Sequence, residues 1–271
     1  ATKKVRVTAK AVAGVSWISK KLDLMNKDEF IMYRNNYKRG YQAAGSFVPA
    51  YDPADFENDT DWIDEISRVA PYQNYNISAS SNENGLNWYG SLNMTDVRGI
   101  IKDTGVRRIG GRFNFSKSFN DWLTVGLKIQ TNHRKTDCSK AEFSGTSYSQ
   151  GAIYLSPIIG PMDQSNPLVD NGKLINTPVA SIKHEDYYRT QWSNTDAIEF
   201  VLKPVKGLTI KSQNSVRLSQ GHIYHFWSNQ LPKRRDEEGS DAYKYENEGL
   251  LLSSENTVTY KTKIRRRHEL E

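Results

Sequence analysis

Between Asn74 and Gln130 the sequence alternates apolar and polar residues in four short segments separated by turn-like residues. Tyr75, Ile77 and Ala79 oppose Asn74, Asn76, Ser78 and Ser80; Leu86, Trp88, Leu92 and Met94 oppose Asn87, Ser91, Asn93 and Thr95. Ile109, Gly111, Phe113 and Phe115 then oppose Arg108, Arg112, Asn114 and Ser116, and Leu123, Val125, Leu127 and Ile129 oppose Thr124, Lys128 and Gln130. Successive side chains of a strand point to opposite faces, so a period of two with one apolar side specifies a half-buried β-strand.

One face of each strand offers Asn, Ser, Thr, Gln, Lys and Arg, the other Trp, Phe, Leu, Ile and Gly. A soluble sandwich fits that pattern, and so does a transmembrane barrel with lipid on the apolar side and water in the lumen. Connection lengths separate the two. Strands are expected at 4–17, 73–81, 86–95, 106–117, 122–134 and 189–202, in the stretch after Gly207, and in a last one around 252–264. The gaps between them alternate long and short, which a meandering outer-membrane barrel requires and a Greek-key sandwich does not. The expected fold is all-β: an antiparallel up-and-down transmembrane barrel, present here as about eight strands. The extracellular side then carries loops near 18–72, 96–105, 135–188 and 220–249. Asn26, with Glu29 three residues on, predicts a capped helix through Phe30 and Tyr33, and a helical turn is expected at Trp62 to Val69.

Composition narrows the function. No run approaches the roughly 18 apolar residues that a membrane helix needs, which leaves a β-barrel untouched. The net charge is +6, but Lys and Arg are spread along the chain, so a nucleic-acid partner is not expected. Aromatic residues make up 11% of the chain, led by 15 Tyr, which suits membrane-interface girdles and sugar or peptide contacts alike. Cys138 is the one cysteine, so no disulfide framework and no Cys-based metal site is expected. Ala1-Thr2-Lys3-Lys4 leads straight into a strand with no signal peptide, and the chain is expected to be a fragment.

The ordered motifs of the first half also carry a family likeness. Asp61-Trp62 through Ile77-Ser78, Gly99-Ile100-Ile101-Lys102-Asp103-Thr104-Gly105-Val106-Arg107-Arg108, Gly111-Arg112-Phe113-Asn114 and Trp122-Leu123-Thr124-Val125-Gly126-Leu127 resemble the SusC/RagA-type TonB-dependent outer-membrane transporters. One departure is plain: Ser80-Ser81-Asn82-Glu83-Asn84-Gly85 stands where the family usually has a Gly-Gly pair. The resemblance implies active uptake of oligosaccharides or peptides across the cell outer membrane, with no enzymatic activity and no cofactor. It also implies a SusD-like surface lipoprotein as partner and a TonB complex reached through an N-terminal region outside this chain. On this reading residues 1–271 are the N-terminal part of the barrel, about eight strands of a wall of about 22, without the plug and the remaining strands. A secreted all-β glycan-binding module is the alternative. A small outer-membrane enzyme would need a catalytic group, and no Ser, His and Asp assemble into one.

The remaining motifs divide between chemistry and ordinary structure. Tyr187, Tyr188 and Trp192 are weak candidates for substrate contact, and a membrane girdle explains them equally. Asp59, Asp61, Asp64 and Glu65 read as a solvated loop with helix N-terminal charges, not as a calcium cluster. His222 and His225 fall on opposite faces of a strand and are not expected to share a metal. Trp88, Phe113, Leu127 and Val258 are expected to face lipid, with Asn93, Arg112, Lys128 and Lys261 facing the lumen.

Overall fold

The computed structural model describes residues 5–40, 51–138, 151–165, 174–232, 239–264 and 268–270. Eight antiparallel strands form one sheet in sequence order: β1 (Arg6–Ser16), β2 (Ala70–Glu83), β3 (Leu86–Arg98), β4 (Gly105–Ser118), β5 (Leu123–Asp137), β6 (Glu185–Leu202), β7 (Leu208–Trp227) and β8 (Asp241–Tyr260). β1 and β8 do not pair with each other, so the sheet is an open stretch of wall. Two further short strands, Thr262–Ile264 and His268–Leu270, pair only with one another.

The turns obey the expected parity. One end of the sheet carries the short connections 84–85, 119–122 and 203–207; the other carries 17–69, 99–104, 138–184 and 228–240. At the tightest turn Asn84 and Gly85 both take positive φ, 50° and 70°, the two-residue form whose twist matches the flanking strands. That Asn-Gly turn is the physical content of the departure from the family's Gly-Gly pair.

Burial distinguishes the two faces. The buried strand positions Gly110, Gly126, Ala197 and Gly221 all lie on the polar face, which is therefore the inner, crowded side of the curve. The opposite face leaves large apolar side chains open, among them Leu92 (65% exposed), Phe113, Leu127, Leu252 (70%) and Val258 (69%). No helix is long and apolar enough to cross a membrane, which says nothing of strands.

Three expectations change. The region 221–249, read as charged loop, is largely strand: β7 runs on to Trp227 and β8 begins at Asp241, paired from His222↔Glu246 to Trp227↔Asp241. Up there β7 carries rings or Ile on both faces from His222 to Trp227, and β8 turns Tyr243 and Tyr245 inward with Lys244 and Glu246 outward, so the apolar-out alternation that marks the lower wall lapses. The loop 135–185 holds a further helix, α3 (Pro178–His184), N-capped by Thr177. Lys261 lies just past β8, outside the wall. The outward face is also less uniform than its first half suggests, because Asn194, Asp196, Ser212, Asn214, Ser254 and Asn256 form a polar patch across β6 to β8. Hydrogen bonds within the patch, such as Asn194 Nδ2 to Asp196 Oδ2 at 2.6 Å, lessen the cost of turning such groups outward.

Above the long-loop end the connections build a small core of their own. Helix α1 (Lys27–Arg39) has the predicted capping box at Asn26 and Glu29, and α2 (Trp62–Ile66) is capped by Asp61. Ile31, Trp62, Ile66, Leu155, Ile158, Ile159 and Ile175 pack together as a buried cluster. Thr60 ties the β1–β2 loop to the β5–β6 loop by donating from N to Pro157 O (2.8 Å) and from Oγ1 to Ile159 O (2.7 Å). The β3–β4 loop joins them through Lys102 N to Ile66 O, 2.7 Å, and through Arg68, whose guanidinium donates to Gly99 O and Thr104 O.

Candidate functional site

The inward face is a polar wall whose register sets side chains in rows. Asn93 and Asn132 stand on either side of Gly110, and a Cβ there would lie 2.7 Å from Asn132 Oδ1 and 2.9 Å from Asn93 Oδ1. Only glycine lets both amides lie down across the strand between them. One row nearer the short turns, Arg112, Gln130, Thr195 and Arg217 follow one another on β4, β5, β6 and β7. Arg112 Nη2 donates to Gln130 Oε1 (2.8 Å), and Arg217 Nε donates to Thr195 Oγ1 (3.2 Å). Nearer still to the short turns, Glu199 accepts from Lys128 Nζ and forms ion pairs at 2.9 Å with both Lys128 and Lys211. The wall thus offers fixed amides, hydroxyls and guanidinium groups to whatever lies in the concavity.

The rim divides the predicted aromatic cluster. Tyr187 points inward and packs against His225, with ring centroids 4.8 Å apart, and His225 in turn lies against Trp227 at 3.6 Å, the rings tilted. Tyr188 and Trp192 have the opposite parity and stand on the outward face, Tyr188 stacked on Tyr224 at 5.1 Å with Lys135 Nζ over its ring. That outward pair sits beside a charged belt, Asp96 with Arg107 (3.1 Å) and Lys135 with Asp137 (2.9 Å). Aromatic rings and ion pairs side by side are what a bilayer interface selects, so Tyr188 and Trp192 fit a girdle, whereas Tyr187 borders the lumen. The three are neighbours in sequence, but a strand's alternation splits them between the two faces.

The other motifs take structural roles. Asp59 accepts from Lys27 N at 2.8 Å, Asp61 caps α2, and Asp64 pairs with Lys21, whose hydrogen bond holds its carboxyl below the usual range. His222 meets Glu246 at 3.0 Å on one face, while His225 meets Glu185 at 3.2 Å on the other. Among the described residues no three His, Cys, Asp or Glu side chains gather as metal ligands.

An open antiparallel sheet with alternating long and short connections, one exposed apolar face and one polar concave face defines a segment of transmembrane β-barrel wall. Comparison with known proteins gives the kind of barrel. The chain is 25% identical over 184 residues to the TonB-dependent receptor P26 of Formosa agariphila, covering 68% of this chain and 16% of the relative. It is 32% identical over 101 residues to the TonB-dependent receptor SusC of Bacteroides thetaiotaomicron, covering 37% and 9%. Its fold superposes on the RagAB peptide transporter with a TM-score of 0.75 at 21% identity, over 98% of this chain and 33% of that one. The RagAB importer in its closed-closed state gives 0.76 at 20% identity, with the same coverage. No family model matches the chain. These likenesses bear out the SusC/RagA-type TonB-dependent receptor resemblance drawn from the motifs, and the relatives are receptors and transporters, not enzymes. The chain spans less than a fifth of the length of the curated relatives it matches and a third of the solved ones.

Proposed function

We propose that this chain is part of the wall of an outer-membrane TonB-dependent transporter that imports oligosaccharides or peptides. The observation that carries the reading is the pairing of two faces over eight consecutive strands: an exposed, largely apolar surface outside and ordered amides and guanidinium groups inside. A secreted glycan-binding module would have to leave Leu92, Leu252 and Val258 in water, a larger apolar exposure than soluble domains carry. The name RagAB peptide transporter and the SusC likeness support import as the activity and a SusD-like surface lipoprotein as the partner over the long-loop side. Further strands, a plug and a TonB-contacting segment belong to the longer receptor on this reading.

The test uses the full-length receptor in its native host. Membrane fractionation should place it in the outer membrane, and deletion should abolish accumulation of its oligomer in a manner that requires TonB and the proton-motive force. Recovery from the culture supernatant as a soluble protein would overturn the reading.

A further inference from the structure

From the Arg112–Arg217 row up to the mouth, the inward positions of β1 to β8 hold Lys10, Arg108, Arg112, Arg134, Arg189 and Arg217. No Asp or Glu stands among them until Glu185 and Asp241 at the rim. The inward carboxylates lower down are Glu199, which Lys128 and Lys211 already clamp, and Glu255. None of the six cations forms an ion pair with a carboxylate among the described residues, and all six are exposed. Their partners are neutral: Arg108 donates to Asn132 Oδ1 (3.2 Å), Arg112 to Gln130 and Arg217 to Thr195.

The register makes this arrangement costly. Arg108 and Arg134 are directly opposite each other on β4 and β5, and like charges in that relation destabilise a sheet. The field of cations lining a concave wall adds up and concentrates counter-ions within it. A guanidinium fork also binds carboxylate or sulfate through two parallel hydrogen bonds. Resting on the transporter reading, we propose that the upper inward wall is an anion-selective passage, and that the solute carried past it is an oligomer bearing several carboxylate or sulfate groups. Arg108 and Arg134 take one anionic group between them, and Arg112 and Arg217 line the next stage inward. An acidic oligosaccharide and an acidic peptide share that chemistry.

The experiment uses the detergent-purified full-length receptor and its variants R108Q, R134Q and R112Q/R217Q. Binding of hexagalacturonate, a sulfated hexasaccharide, hexaglutamate and neutral maltohexaose is measured by calorimetry at low and high salt, together with thermal stability without ligand. The expected result is that at least one anionic probe binds, with an affinity that falls steeply with salt and about tenfold in each variant. Neutral maltohexaose should bind more weakly and alike in all. Which anionic probe binds decides between sugar and peptide. Single variants R108Q and R134Q should melt no lower than the native receptor, since each removes a repulsion. The proposal is overturned if none of the anionic probes binds, if binding ignores salt and charge, or if R108Q and R134Q lower the melting temperature with binding unchanged. That last result would assign the arginines to an acidic surface of the receptor itself. Failure of the transporter reading shows separately, as absence from the outer membrane or uptake indifferent to TonB.

Discussion

The indole N–H of Trp62 donates to the carbonyl of Ser156, 3.0 Å away and 94 residues along the chain, and both groups are buried. This bond and the apolar cluster around it join the β1–β2 and β5–β6 loops. Trp62→Ala should remove about 3–5 kcal/mol from that cluster and orphan the Ser156 carbonyl. Limited proteolysis of the full-length receptor should then cut within 17–69 and 138–184, while the heat-modifiable mobility of the barrel persists. Loss of the barrel together with the loops would show that the cluster is not a separate unit.

Sidedness is testable with one position on each face. Phe113→Arg places a charge on the exposed apolar face, where it should cost about 2–4 kcal/mol near the bilayer midplane. Ser78→Arg, in the inward row of Arg112 but opposite Thr8 and Ser91, should cost well under half as much. Equilibrium refolding into lipid vesicles gives both numbers, and equal penalties would contradict the assignment.

Gly85 holds φ +70° in the Asn84-Gly85 turn, and a Cβ there would also press to 3.3 Å from Ser118 O. Gly85→Ala should destabilise the β2–β3 hairpin by about 1–2 kcal/mol. Gly85→Asn should cost less, since Asn tolerates positive φ. Refolding midpoints of the two variants check the order.

Asp103 in the β3–β4 loop supplies a pH dependence. Neighbouring loops strip some water from its carboxyl, and repulsion from Asp137 and Asp186 adds to this, so its pKa is raised. The folded state therefore holds this proton more tightly than the unfolded state, so the loop gains stability as pH falls from neutral through the raised pKa and loses it again as pH rises. Asp103 also sits at φ 59°, which Asn accepts. Asp103→Asn should protect this loop more at pH 7 and flatten its pH profile between 7 and 5, as read by hydrogen exchange. A wild-type loop that loosens on acidification would refute the sign.

Residues 1–271 produced alone should not yield a closed barrel. β1 pairs only with β2 and β8 only with β7, so both edges present unpaired backbone groups, each costing several kcal/mol in hydrocarbon. Aggregation, or the absence of a heat-shifting band in detergent, is the expected outcome. A compact, protease-resistant species would show that β1 and β8 can seal against each other.

Much of this wall was legible because one face had to be apolar. Phe113 against Arg112, or Leu127 against Lys128, marks a strand without any knowledge of its neighbours. What stayed hidden needs pairing. Arg108 and Arg134 are 26 positions apart, and their opposition exists only once β4 and β5 are set in register. Basic residues that look scattered along the chain converge for the same reason. The upper part of β7 escaped because His222 to Trp227 carries rings or Ile on both faces, and that of β8 because its phase is reversed, with Tyr243 and Tyr245 inward and Lys244 and Glu246 outward. The helix at Pro178 was missed although Thr177-Pro178 is a fair start signal, since its apolar partners come from distant loops.

The two sides of the mouth gain their height differently, and they will not yield alike to force. Strands lengthen from 11 residues in β1 to 20 in β7 and β8, and at about 3.3 Å per residue the longest exceed what crossing the hydrocarbon requires. That side rises as a continuation of the hydrogen-bonded ladder and is stiff along its length. Over β1 to β5 the height comes from loops gathered round Trp62, which hold together through their own core. A pull on the mouth will therefore be answered on one flank only, with the Trp62 lobe moving as a unit against a fixed β6–β8 parapet.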